Sequence, residues 1–418
     1  MGIDVAGWKT RIRAAVGELR QQLLATSHDI HANPELLFKE FRASKRLADE
    51  LEHGGLHVQR GVGGLETAFR AELDGGEAGP TLAILAEYDA LPGIGHACGH
   101  NIIATSALGA GLALARSGQR FPGRVLIIGT PAEEGGGGKI LLAEAGVFDD
   151  VDASFMLHPS RSDMVRRSSL ASSRVEIVFH GKASHAAGAP DQGINALEAV
   201  IQTFTGINAR RLQMRADARV HGIVTHGGDA VNIIPARASA RFSVRARDRA
   251  YQRRLVGMLK QAAEAGATAT GARLEWTETR GYDNTVPNST IADVMARNMA
   301  ALGRPCVEPA PNERMGSTDM GDISQILPAI HAYFAIVPES IANHTPEFAV
   351  AAASEEGDRA VVDGAVTLAM TAADLLTDSS LLAQAKADFA RQLEAGEVAG
   401  RERWLAGARA YTGKGTSE

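Results

Sequence analysis

A short apolar run followed at once by a dense set of polar side chains constrains this chain more than any other feature. The run Thr81-Leu-Ala-Ile-Leu-Ala86 predicts a buried strand. Carboxylate, thiol and imidazole side chains follow it within residues 87–100. In open α/β sheets, functional side chains gather beyond the carboxyl ends of the strands. Thiolate and imidazole are ligands that transition metals prefer, so the pattern predicts a metal site at one edge of a sheet.

Composition and charge narrow the class of protein. The chain has 418 residues and a formal net charge of −6, with no long basic block, which argues against a nucleic-acid or anionic-membrane partner. The N-terminal residues contain no apolar signal core, and no stretch approaches the roughly 18 uncharged apolar residues of a membrane span. Only two cysteines, Cys98 and Cys306, are present. We therefore expect a cytoplasmic protein.

The pattern of elements changes twice along the chain. Strand-like runs alternate with Ala- and Leu-rich helical stretches in residues 1–172 and again in 285–418. This alternation predicts an α/β catalytic domain with a mixed sheet and helices on both faces. Residues 173–284 instead show half-buried strands separated by two long helical patterns, which is typical of an inserted α+β domain. The tail from 380 to about 411 is predicted to be helical.

Candidate metal ligands follow four separate strand-like runs. Cys98 and His100 come after the first, the pair Glu133 and Glu134 after the second, His158 after the third and His344 after the fourth. Because the strand ends of a doubly wound sheet meet at one edge, these groups are predicted to share a site.

The two adjacent glutamates suggest a division of roles. Consecutive side chains at a strand end point in opposite directions, so Glu134 can bind metal while Glu133 acts as general base. Two metals about 3.5–4 Å apart could then hold an attacking hydroxide between them. Asp89 is a candidate for orienting a ligand imidazole.

The assignment of His96 is open on spacing alone. On a helix His96 and His100 would share a face, whereas in an extended segment Cys98 and His100 would do so. Because Pro92 and the glycines before Asn101 disfavour a helix, we favour Cys98 with His100. The glycine-rich run 135–139 lacks the residues of a phosphate-binding Walker motif.

Several motifs in order resemble the metallo-aminoacylase and dipeptidase family of co-catalytic metal hydrolases, which includes hippurate hydrolase and aminobenzoyl-glutamate hydrolase. The matching segments are 28–36, 89–92, 96–100, 131–134, 181–186, 232–235 and 343–345. The resemblance implies two divalent metal ions per subunit and an inserted lid domain that also mediates dimerisation.

The resemblance also implies a role for individual residues. The metal ligands would be Cys98, His100, Glu134, His158 and His344. The catalytic candidates are Glu133 as general base, Asp89 and His185, the last as the residue that stabilises the oxyanion. Asn232 matches a lid position that contacts substrate.

The chain departs from many relatives at Glu87, where they carry a histidine ligand. Asn101 and the segment 316–320 also differ from hippurate-type relatives and look closer to aminobenzoyl-glutamate hydrolase and cytosolic dipeptidases. We therefore expect hydrolysis of the amide bond in a small N-acyl amino acid, an aminobenzoyl-glutamate-like compound or a dipeptide. Zinc is the expected metal, with manganese or cobalt as substitutes. Two alternatives stay open: a non-catalytic binding or regulatory protein that kept the fold, and a thiol hydrolase that uses Cys98.

Overall fold

The computed structural model describes residues 3–310 and 313–412. The chain divides into two compact units, one comprising Met1–Ser168 and Thr285–Leu405 and the other Ser169–Asn284 and Ala406–Glu418. The sequence pattern predicts residues 169–172 and the whole tail to belong to the first unit, so the division in the structure differs at these two places.

The first unit is built around a six-stranded mixed sheet. In chain order its strands are β1 (His57–Arg60), β2 (Phe69–Asp74), β3 (Gly76–Ala86), β4 (Phe121–Gly129), β5 (Ala153–Ser160) and β10 (Ala329–Ala335). The spatial order is β1-β2-β4-β3-β5-β10. Strands β4, β3, β5 and β10 run parallel, whereas β2 is antiparallel to β4 and β1 is antiparallel to β2.

Helices cover both faces of this sheet, as the sequence predicted. They are α1 (Val5–Ala32), α2 (Phe41–His53), α3 (His100–Arg116), α4 (Gly138–Glu144), α7 (Ser289–Ala300), α8 (Met320–Ser324), α9 (Pro346–Ala351), α10 (Glu355–Thr377) and α11 (Ser379–Glu394), and α12 (Arg401–Thr412) follows them. Alternate residues of one strand enter different cores: Leu82 and Ile84 join α1, α3 and α10, while Ala83 and Leu85 join α4 and α8. A strand that is apolar on both faces is the signature of a sheet buried between two helical layers.

Helix α10 is long and apolar enough to cross a membrane by length and composition, but 78% of its most apolar window is buried inside the protein. It packs against α3 and α1, so its apolar character is explained by the core.

The second unit is an antiparallel sheet with helices. Its strands are β6 (Ala171–His180), β7 (Arg219–His226), β8 (Arg237–Ala246) and β9 (Arg273–Arg280), in the spatial order β7-β8-β6-β9. Helices α5 (Ala196–Asn208) and α6 (Arg249–Thr270) pack on the sheet and share its core. Asp248 caps α6 as predicted, since its carboxylate accepts a hydrogen bond from the Tyr251 backbone N–H.

The predicted helical tail is interrupted. Helix α11 ends at Glu394 and α12 begins at Arg401. Gly396 and Gly400, between the two helices, lie in the left-handed region with φ of 73° and 72°. This conformation separates α11 from α12.

Candidate metal centre

The parallel strands bring the predicted ligands to one edge of the first sheet. Strand β3 ends at Ala86 just before Glu87 and Asp89, β4 ends at Gly129 just before the glutamate pair, and both run in the same direction. His158 lies inside β5, which extends to Ser160 and is longer than the sequence pattern indicated. All five predicted ligands occur in two candidate groups at this edge.

Cys98 belongs to both groups. With His100 and His158 it forms one set of three ligand atoms that lie within 4.8 Å of one another, and with Glu134 and His344 it forms the other. The Cys98 Sγ atom is 3.4 Å from His158 Nε2. The His344 Nε2 atom is 3.3 Å from Glu134 Oε1. Cys98 could therefore offer its sulfur to a metal ion in either group.

The glycine between Cys98 and His100 allows this arrangement. Gly99 has a φ of 77°, and a Cβ there would overlap the Cγ atom of the Pro159 ring. Helix α3 begins at His100, so Cys98 lies in a turn rather than in the extended segment on which the prediction was based. A left-handed turn in close contact with β5 places both side chains at the strand end.

Hydrogen bonds orient the imidazoles of two predicted ligands. His100 Nδ1 lies 2.9 Å from Asp89 Oδ1, which is the geometry expected of a carboxylate that orients a ligand. His158 Nδ1 donates to the carbonyl of Pro159 at 2.6 Å. Both rings therefore present Nε2 to the site, and His100 Nε2 has no hydrogen-bond partner among the described residues.

A strained turn carries the glutamate pair. Ala132 has a φ of 61°, in a region that residues other than glycine rarely adopt. Its backbone N–H donates to the buried carboxylate of Glu40, and Asp89 Oδ2 accepts from the backbone N–H of Glu134 at 2.9 Å. Glu133 joins Glu134 and His100 in a third candidate group, with Glu133 Oε2 lying 4.0 Å from His100 Nε2. Backbone strain of this kind is typical of functional sites.

Burial shifts the protonation of the site. It raises the pKa of the Cys98 thiol, and the neighbouring Glu134 carboxylate adds to that rise. It lowers the pKa of His158 to about 4, which keeps the imidazole neutral and able to bind metal. It also raises the pKa of Glu133, with the nearby Glu87 carboxylate acting in the same direction. A carboxylate with a raised pKa is better suited to act as a general base near neutral pH.

His96 takes no part in these groups. Its ring is buried beside His31, with the two ring centroids 6.1 Å apart. None of the candidate groups within the described residues includes it, in line with the preference for Cys98 and His100.

His185 and Asn232 lie next to each other in the second unit. His185 forms an isolated bridge with Ile233, and the Ala186 backbone N–H donates to the carbonyl of Asn232. His185 Nδ1 accepts hydrogen bonds from the backbone N–H groups of Ala187 and Gly188, at 3.2 and 2.9 Å. The proton of the neutral ring is therefore on the exposed Nε2, which can donate to a ligand.

Sequence reasoning missed a buried ion cluster at the same edge of the sheet. Lys139, in α4, is fully buried, and its Nζ atom lies 2.5 Å from Glu87 Oε1 and 2.7 Å from Asp319 Oδ1. The signals in the sequence were the departures at Glu87 and in the segment 316–320, and Lys139 at the end of a glycine-rich run that lacks a phosphate-binding motif.

The chain is similar in sequence to several known proteins. The profile of peptidase family M20/M25/M40 matches residues 83–369. The chain is 38% identical to the Xaa-Arg dipeptidase of Mus musculus, over 92% of this chain and 93% of that protein. It is 33% identical to one of the subunits of the p-aminobenzoyl-glutamate hydrolase of Escherichia coli, over 68% of this chain and 63% of that protein.

The fold also matches solved structures. A dinuclear metal-binding peptidase of the M20 family from Bacillus subtilis superimposes with a TM-score of 0.70, at 24% identity, over 86% of this chain and 99% of that one.

Proposed function

The chain belongs to peptidase family M20/M25/M40 and is a metal-dependent hydrolase of amide or peptide bonds, and we propose that it cleaves dipeptides and similar small N-acyl amino acids with two divalent metal ions. The observation that carries this proposal is the position of Cys98, which belongs to two candidate ligand groups at once. The proposed substrate class also includes aminobenzoyl-glutamate-like compounds.

The donor set fits two zinc ions. One group offers thiolate and two imidazoles, and the other offers thiolate, carboxylate and imidazole, which are the ligands that zinc prefers. His100 Nε2 is buried without a hydrogen-bond partner among the described residues, as expected of an atom that faces a cation. Manganese or cobalt could occupy the same groups.

The side chains supply the proton transfers and part of the charge stabilisation. Bound metal ions would polarise the amide carbonyl and make water more acidic. Glu133 would take the proton of the attacking water and pass it to the leaving amine. His185 would donate from Nε2 to the oxyanion, and Asn232, beside it, would contact the substrate. Asp89 would keep His100 in the tautomer that presents Nε2.

We also infer a cytoplasmic homodimer that binds neither nucleic acid nor membrane, with the second unit acting as lid and dimerisation domain. The net charge of −6 supports the absence of a nucleic-acid or membrane partner. The two free cysteines support a cytoplasmic location. Strand β7 lies at an edge of its sheet and exposes Ile223 and Val224, which supports pairing with another chain.

A turnover assay with matched variants tests the proposal. Protein reconstituted with zinc, manganese or cobalt is screened against dipeptides, including Xaa-Arg dipeptides, and against N-acyl amino acids. Glu133→Gln should keep two metals and lose turnover by a factor of at least about 10². The same change at the exposed Glu347 should alter neither property. Substantial turnover by Glu133→Gln with both metals present would refute the role of Glu133.

Metal content tests the ligand set separately. His344→Ala should lower the metal bound per chain from two ions towards one, because His344 occurs in only one of the two groups that share Cys98. Unchanged stoichiometry and affinity would remove His344 from the ligand set.

A further inference from the structure

The buried ion cluster has no role in the proton transfers described above. Glu87 follows β3, Lys139 lies in α4, and Asp319 immediately precedes α8, so three separate elements contribute to it. All three side chains are fully buried. Asp319 also accepts a hydrogen bond from the Lys139 backbone N–H at 3.0 Å, which fixes the lysine at both ends.

The cluster uses only one oxygen of Glu87. Lys139 contacts Oε1, while Oε2 is buried without a hydrogen-bond partner among the described residues. The Oε2 atom lies 3.5 Å from Nε2 of His100. That nitrogen is also unpartnered within the described part of the chain, since His100 makes its hydrogen bond to Asp89 through Nδ1.

Without a cation between them, two atoms with lone pairs would face each other at the site. A buried carboxylate oxygen without a partner is costly, and an adjacent imidazole lone pair adds repulsion. A cation between the two atoms removes both costs. The possible cations are a proton on His100 and a metal ion. Replacing Glu87 should weaken metal binding only if the cation is a metal ion.

The distances fit a metal ion. Two atoms bound to one zinc at about 2.1 Å and at a tetrahedral angle lie roughly 3.4 Å apart. The facing pairs within the two ligand groups, Cys98 with His158 and Glu134 with His344, are 3.4 and 3.3 Å apart. The separation of 3.5 Å between Glu87 and His100 has nearly the same length.

We propose that Glu87 is a further ligand of the metal ion held by His100, with Lys139 and Asp319 as positioning residues. Lys139 holds Oε1 and so directs Oε2 towards His100. Its ammonium group also offsets part of the negative charge of the two buried carboxylates. This inference rests on the proposed two-metal site.

The test measures metal binding without turnover. Metal stoichiometry after desalting and affinity by chelator competition are determined for the wild type and three variants. Glu87→Gln retains an oxygen for Lys139 but removes the anionic ligand. Glu87→His supplies a neutral nitrogen ligand instead. Asp322→Asn is the matched control, because Asp322 is a fully buried carboxylate in α8 whose Oδ1 accepts a hydrogen bond from Trp404.

We expect Glu87→Gln to weaken one of the two metal-binding steps by at least about 10- to 100-fold. Glu87→His and Asp322→Asn should stay within a few-fold of the wild type. The proposal is overturned if Glu87→Gln binds both metals as tightly as the wild type, which is the result expected when a proton occupies the gap. It is also overturned if Glu87→His weakens binding as much as Glu87→Gln. A wild type that binds no metal would instead refute the proposed function.

Discussion

The turn at Gly99 offers a direct test of how the ligands are positioned. Gly99 and Gly93 both lie in the left-handed region, with φ of 77° and 78°. A Cβ at Gly93 would meet no atom within 4 Å. A Cβ at Gly99 would overlap the Cγ atom of Pro159 and lie 3.3 Å from the Cβ atom of Pro159. Alanine at either site therefore has the same backbone strain, and only alanine at Gly99 also has a steric clash.

The two substitutions should lower the free energy of unfolding by different amounts. A left-handed alanine costs about 1–2 kcal/mol of unfolding free energy relative to glycine, and this cost applies to both variants. Overpacking in a buried region costs about a further 1–3 kcal/mol, and this cost applies only to Gly99→Ala. Pro159 follows His158 and accepts its Nδ1 hydrogen bond, so a displaced proline also moves a predicted ligand. Gly99→Ala should therefore weaken metal binding by roughly 10-fold or more, by analogy with the loss of other groups that orient ligands.

The assay separates the two units. Trp8 and Trp404 lie in the first unit and Trp276 in the second, so a Trp276→Phe background makes tryptophan fluorescence report the first unit alone. Urea unfolding of the metal-free proteins then gives the stability difference, and chelator competition gives the metal affinity. Equal destabilisation by Gly93→Ala and Gly99→Ala, with equal metal affinity, would refute the argument from close approach to Pro159.

Two further predictions concern buried side chains near the site. Burial lowers the pKa of His96 to about 3, so the unfolded chain binds a proton that the folded chain does not as the pH falls below 6.5. Stability should fall by up to about 1.4 kcal/mol for each pH unit between 6.5 and 3, and His96→Phe should reduce that slope in urea titrations at several pH values. Glu40 accepts hydrogen bonds from the backbone N–H groups of Phe38 and Ala132. Glu40→Ala should destabilise the first unit by about 3 kcal/mol or more and lower kcat more than it raises KM, because the turn that carries Glu133 loses its anchor, whereas Glu40→Gln keeps an acceptor and should lose much less.

The central part of the fold could be predicted from the sequence because its strands are buried. The runs at 81–86 and 124–129 are continuous and apolar, and both occur as β3 and β4. Strand β7 was missed because it lies at an edge and most of its side chains are exposed or half-buried, so no apolar pattern marks it. Strands β1 and β2 are short and were missed as well.

The site likewise has a part that could be predicted from the sequence and a part that could not. The candidate ligands could be predicted because the ends of parallel strands meet at one edge, and this rule needs only the order of the strands. The contact between Lys139 and Asp319 joins residues 180 positions apart and depends on how α4 and α8 pack. In the sequence, the position of Lys139 at the end of the glycine-rich run does not show whether its side chain is buried or exposed. Buried ion clusters of this kind follow from tertiary packing, so no local pattern reveals them.

The charges at the site predict that metal binding and folding are coupled in the first unit. Asp89, Glu133 and Glu87 are buried there, and Lys139 is the one fully buried lysine among the described residues. Divalent cations would offset the remaining negative charge, and the binding free energy would add to the stability of the first unit alone. At a free metal concentration 100 times the dissociation constant, this contribution is about 2.7 kcal/mol for one ion. A chelator should therefore lower the urea midpoint reported by Trp8 and Trp404, while the midpoint reported by Trp276, in a variant without the other two, should not move. Equal shifts of both midpoints, or no shift of either, would contradict this coupling.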